Sequence, residues 1–205
     1  RIESSAASDV YKRQEQHKLD IKQIVGSMFW LNDECQVVLL CPCRKAYAEL
    51  CRIITNARRR SEKGTYQLSE WDLMSIRHCL VLWLPTHQEN DHYWGRWLQQ
   101  HHSHRLWVAI QRHLGGDDDA YTTHCELLAN EFQLPITACG GVLMHAVERL
   151  PLQHVLTAIK HGCSVDKLGF GRLSNAERAL RPLNKLSRIY RSEWLVESAH
   201  IADLC

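Results

Sequence analysis

From Ile21 onward the chain alternates short, continuous apolar runs with stretches in which apolar residues recur every three or four positions. The runs Ile21–Trp30 (IKQIVGSMFW), Cys35–Cys41 (CQVVLLC), Cys79–Leu84 (CLVLWL) and Arg105–Ile110 (RLWVAI) read as strands. They are short, rich in Val, Ile, Leu and aromatics, and bounded by turn residues. Pro135–Val142, small, apolar and ending in Gly140-Gly141, reads as a further strand. Helical spacing marks Arg44–Arg60, with Tyr47, Leu50, Cys51 and Ile54 as its apolar stripe, and the stretches around Asn90–His101 and Asp117–Gln133. Ser69–Ser75 reads as a short helix opened by a cap between Ser69 and Asp72. The strongest period is Leu152, Val155, Leu156 and Ile159, which gives the helix after Pro135–Val142 one apolar face. The loop between them, Gly141–Leu150, lies where α/β proteins present functional side chains, yet it offers only His145, Glu148 and Arg149.

Strands of near-continuous apolar residues separated by helices predict an α/β fold with a parallel sheet covered on both faces, a barrel or a doubly wound sheet. Cys35–Cys41, Cys79–Leu84, Arg105–Ile110 and Pro135–Val142 should then be neighbouring parallel strands. After Gly162 the rhythm changes. A capping box at Ser174–Glu177, a stripe of Leu183, Leu186, Ile189 and Tyr190, and a helix at Trp194 predict a purely helical region beyond Ser174.

The ends and the composition narrow this picture. The opening stretch RIESSAASDVYKRQ has no apolar period and reads as a non-native scar over residues 1–14. Trp194, Leu195, Ser198, Ile201, Ala202 and Cys205 hold helical register to the last residue, as expected of a fragment. With 205 residues, 45% of them hydrophobic, the chain can bury a sizeable core. A net charge of +2 makes no general case for nucleic-acid or membrane binding, and no apolar run approaches the length of a membrane span. A cytoplasmic location follows by default. Nine cysteines, an odd number spread through apolar segments, read as reduced core residues.

Each candidate for chemistry has a bland alternative. Cys35, Cys41 and Cys43 offer thiolates, but no second closely spaced pair completes a zinc site, so they read as core. His101, His102 and His104 read either as a cluster or as a solvated helix end near the negative pole of its dipole. Asp117, Asp118 and Asp119 read as charge at a helix N-terminus rather than a cation site. Arg58, Arg59, Arg60 and Lys63, beside Arg52, form the dense basic run, able to contact nucleic-acid phosphates or simply to be a solvated helix end.

The segment IVGSMFWLNDECQVVLLCPCRKAYAELCRIITNARRRSEKGTYQLSEWDL resembles the N-terminal region of bacterial C-family (DnaE-like) DNA polymerases, most of all the error-prone, damage-tolerant branch. RLWVAIQRH, LQHVLTAIKHG and FGRLSNAERALRPLNKLSRIYRSEWLVESAHIADLC follow in the same order, so the resemblance covers Leu19–Cys205. It implies a partial PHP (polymerase and histidinol phosphatase) domain, a distorted βα barrel, over residues 15–170, and a helical linker toward the polymerase core over 171–205. PHP domains with an intact site hold divalent metals on His, Asp and Glu at strand ends. At the matching positions stand Met28, Gln36, Gln111, Gly141 and Leu143, with His113 kept. Methionine and leucine cannot hold a hard cation and glutamine brings no charge, so the resemblance implies no metal site and no catalytic residue here. It implies a degenerate, structural domain of a polymerase that meets DNA through the parent chain and uses Mg²⁺ in its core. Other damage-response or replication proteins are further partners in that reading. A metal-dependent phosphoesterase or exonuclease, and a free-standing interaction module, are the alternatives.

Overall fold

The computed structural model describes residues 22–205. The proposed scar at 1–14 and the start of the first strand-like run lie outside them. The order is β1 (Gly26–Leu31), β2 (Cys35–Leu40), α1 (Arg44–Arg59), α2 (Glu70–Met74), β3 (Leu80–Leu84), α3 (Asp91–His102), β4 (Leu106–Gln111), α4 (Asp118–Phe132), β5 (Ile136–Cys139), α5 (Leu150–His161), α6 (Leu183–Ile189) and α7 (Ser192–Leu204). The strands form one open five-stranded sheet in the order β1-β2-β3-β4-β5.

Asn32 and Asp33 take left-handed backbone angles, which a tight hairpin between β1 and β2 requires, and Glu34 N–H closes the turn on Leu31 O at 2.9 Å. The β3–β4 and β4–β5 pairs are parallel, each joined through a helix, as the alternating rhythm predicts. The β2–β3 pair is antiparallel, which corrects the expectation of four parallel neighbours. A single returning helix would have enforced parallel pairing. Here the chain doubles back along α1: Gln67 N–H bonds Ala57 O at 3.2 Å, and Arg77, His78 and Cys79 N–H groups reach Glu49 at 3.1, 2.9 and 3.3 Å. Residues 67–79 thus run antiparallel to α1 and enter β3 at the end where β2 finished.

The main core lies on one face of the sheet, where Val37, Leu39, Val81, Trp83, Val108 and Ile110 meet α1, α3 and α4. A smaller core on the other face joins Leu80, Leu82, Leu84, Trp107 and Ala109 to Ile201 of α7. Hence β3 and β4 are buried on both faces, while β2 alternates. The stripe that α1 buries is Ala46, Glu49, Leu50, Ile53 and Ala57; Tyr47, Cys51 and Ile54 are exposed. The sequence reading was rotated because it set aside Glu49, a carboxylate buried to bind backbone. No helix starts at Ser174: Asn175 Oδ1 accepts the Glu177 N–H at 3.0 Å in a turn, and Ala179 bridges to Met144. Beyond it the described chain is helical in α6 and α7.

Candidate functional site

Two buried carboxylates fix the ends of β3. Glu49 receives the backbone entering it, and burial, which pushes that carboxyl up, is outweighed by hydrogen bonds from the His78 ring and the Arg77–Cys79 N–H groups, so its pKa falls below the usual carboxylate range. Asp91, 1% exposed, receives the backbone leaving it: Thr86, His87 and Gln88 N–H groups donate at 2.8–3.2 Å, and His124 Nε2 lies 2.8 Å away. That clasp holds His87 at φ 62°, with its ring 4.8 Å from the His124 ring. Asp91, His87 and His124 were not singled out from the sequence, and the only signal was an Asp at a helix start following a Pro-Thr-His strand exit.

Beside this loop opens a cleft of 420 Å³ at the carboxyl ends of β3 and β4, lined by Gln36, His87, Gln111, His113, Asp118 and Tyr121 among others. The antiparallel pairing of β2 brings Gln36 there, opposite Leu84. Of the five positions that the resemblance matches to metal ligands, four satisfy or crowd one another. Gln36 Nε2 lies 3.0 Å from Met28 Sδ. Gly141 has φ +52°, and a Cβ there would meet Gln111 Oε1 at 2.9 Å. Leu143 is half-exposed, and its N–H bonds Arg178 O at 2.8 Å. Burial lowers the His113 pKa, partly opposed by Gly140 O, 3.2 Å from Nε2. Asp118 accepts Leu114 N–H at 2.8 Å and, with Asp119, pairs Arg112. Among the described residues no group of three or more His, Cys, Asp or Glu side chains is arranged to hold a metal ion. The described donors at this cleft do not fit a catalytic metal cluster.

The other candidates do not converge on this cleft. His145 and Arg149 line a separate groove of 160 Å³ with Leu152 and Leu156. His101 stacks on Trp97, His104 is exposed, and His102 is buried, which corrects the picture of a solvated trio. Cys35 and Cys41 lie at opposite ends of β2, and Cys43 and Cys51 are exposed rather than core. Of the basic run, Arg60 grips both Asp72 oxygens at 3.0 and 2.7 Å, and Arg58 donates to Thr65 O at 3.1 Å and lies over the Tyr66 ring. Arg59 and Lys63 are exposed.

Fold and cleft together define an α/β domain with a mixed sheet, whose strand-end cleft lacks a metal-holding cluster among the described residues. No family model matches the chain. It is similar to proteins named "Error-prone DNA polymerase": 94% identical over 191 residues to that of Vibrio campbellii and 87% over 191 residues to that of Vibrio parahaemolyticus, in each case 93% of this chain. At greater distance it is 39% identical over 202 residues, 98% of the chain, to the protein of the same name from Alkalilimnicola ehrlichii. The chain matches the N-terminal part of these polymerases and spans 19 to 20% of their length. No described helix is long and apolar enough to cross a membrane.

Proposed function

We propose that this chain is part of a cytoplasmic error-prone DNA polymerase, within which it forms a degenerate PHP-type domain that braces the polymerase body. The observation that carries the structural role is the strand-end cleft, in which Gln36 contacts Met28 and Gln111 fills the space beside Gly141, where a working site needs charged ligands. The likeness to error-prone polymerases over 93% of the chain supports the parent activity, DNA-directed DNA synthesis on damaged templates. That synthesis belongs to residues outside this chain and requires Mg²⁺ there; DNA is the partner through the parent, alongside damage-response or replication proteins. In this reading the exposed stripe of α5 packs on the remaining polypeptide, and residues 171–205 lead into it. Direct DNA contact by this domain rests on Arg59 and Lys63, because Arg58 and Arg60 are committed within the fold.

The test uses the full-length polypeptide, stripped of metal and supplied again with Zn²⁺ or Mn²⁺, with bound metal and exonuclease activity followed beside primer extension. Primer extension without nuclease activity traceable to this domain is expected, and Gly141→Asp or Leu143→His alone should restore nothing. Nuclease activity abolished by His113→Ala or Asp118→Ala would overturn the structural reading. Absence of primer extension would overturn the polymerase assignment.

A further inference from the structure

Antiparallel pairing of β2 and β3 places two cysteines in a relation that a parallel sheet would not. The register runs from Gln36 opposite Leu84 to Leu40 opposite Leu80, and its next step sets Cys41 opposite Cys79. Cys41 N–H bonds Val25 O at 2.9 Å, on the β1 side, and Cys79 N–H turns to Glu49 at 3.3 Å. Neither backbone group is spent on the other residue. One step past the end of the paired strands, Cys41 and Cys79 thus occupy the place of a non-hydrogen-bonded cross-strand pair, the class in which Cα atoms come to about 4.5 Å and side chains lie closest. Disulfides need Cα separations of about 4.4–6.8 Å, a range that includes this class of pair. Both side chains point to the main-core face, Cys79 fully buried and Cys41 partly exposed beside it. Cys79 Sγ donates to Ala46 O at 3.3 Å, on the face where Cys41 packs against the same core.

We propose that Cys41 and Cys79 are an oxidisable pair that closes a cross-strand disulfide with hydrogen peroxide as the oxidant. The Cys41 thiolate attacks one peroxide oxygen, the O–O bond breaks, and hydroxide leaves to take up the thiol's proton as water. The sulfenic acid on Cys41 is then attacked by Cys79, forming the S–S bond and releasing a second water. Two thiols are oxidised and one peroxide is reduced. Cys41 is the entry point because it meets solvent and Cys79 does not. Burial raises both thiol pKa values, with the neighbouring Cys79 thiol returning part of the shift at Cys41, so the pair reacts more slowly than a dedicated peroxidase cysteine. The bond would clamp the return leg of residues 67–79 to β2, where Glu49 now holds it by hydrogen bonds.

The experiment treats the reduced full-length polypeptide with hydrogen peroxide, alkylates remaining thiols and maps the linked peptides by mass spectrometry. A Cys41–Cys79 peptide, lost on adding dithiothreitol and unaffected by Cys43→Ser or Cys51→Ser, is expected. The oxidised domain should unfold roughly 5–10 °C higher than the reduced one, because the bridge closes a long loop. Cys41 and Cys79 still alkylatable after Cys43 and Cys51 have been oxidised would overturn the proposal, as would Cys41 linked to Cys43, Cys51 or Cys205. The peptide map of the unmodified sequence needs no variant that has to fold.

Discussion

Arg60 and His102 each carry more of the fold than their neighbours in sequence indicate. The basic run reads as a phosphate contact or a solvated helix end because nothing local reveals that Asp72, 8% exposed and bonded also to Ser69 N–H at 2.9 Å, needs Arg60 as its counter-ion. Arg60→Ala leaves that carboxylate without its cation and should cost about 1–3 kcal/mol of domain stability in denaturant unfolding. Arg59→Ala, on an exposed side chain, should stay within about 0.5 kcal/mol. Equal losses would contradict the pairing. His102 is 2% exposed; Arg105 donates to its Nδ1 at 3.1 Å, and its Nε2 has no partner. Burial first, then the charge on Arg105 with smaller contributions from His101 and Arg77, pushes its pKa down to about 4. The folded state therefore refuses a proton that the unfolded chain takes near pH 6.5, so this contribution is intact above pH 6.5 and is lost as pH falls toward 4. His102→Phe should flatten the decline of the unfolding midpoint over that window, and an unchanged slope would remove His102 as its source.

Element positions were legible wherever period and turn chemistry agreed: the β3–α3–β4–α4–β5 alternation and the Ser69–Asp72 cap follow from local patterns. Strand direction was not, because an apolar run reads the same for either direction; it is decided by how residues 67–79 pack along α1. Nor does a period say what covers a face. The α5 stripe has the spacing of a core helix, yet Leu152, Val155, Leu156 and Ile159 are exposed and Ala158 is the residue buried. With the proposed remainder of the polymerase as its cover, Leu156→Glu with Ile159→Glu should improve the solubility of the isolated domain and lower the unfolding midpoint of the full-length protein by several degrees. Unchanged behaviour in the full-length protein would mean that the stripe faces solvent there too. The expectation of a cleft without ligands, by contrast, is made residue by residue, since replacement of a charged ligand is a property of side-chain type and needs no geometry.

At the scale of the molecule the sheet is open, and its two edges are treated differently. On β5, Ser198 Oγ donates to Ala138 O at 2.8 Å, and Tyr190 hydroxyl accepts Arg112 N–H and donates to Cys139 O, 2.9 Å each, bridging the ends of β4 and β5. On β1, Tyr66 hydroxyl receives Trp30 N–H at 2.9 Å, while Met28 and Trp30 stay exposed at the β1 edge of the face on which α7 packs. An open edge bearing exposed Met and Trp invites pairing with another chain, and the α5 stripe adds apolar surface. Residues 22–205 expressed alone should therefore be marginal: dye-binding, broad in thermal unfolding and aggregating with rising concentration. In the full-length protein the same residues should be protected from hydrogen exchange along β2, β3 and β4 and should unfold together with what they pack against. Two variants separate the causes. Trp30→Lys charges the β1 edge and should suppress association between copies without sharpening the unfolding transition, whereas the α5 double substitution should reduce dye binding. A sharp, reversible transition from monomeric, dye-silent protein would show that the domain completes its own fold and braces nothing.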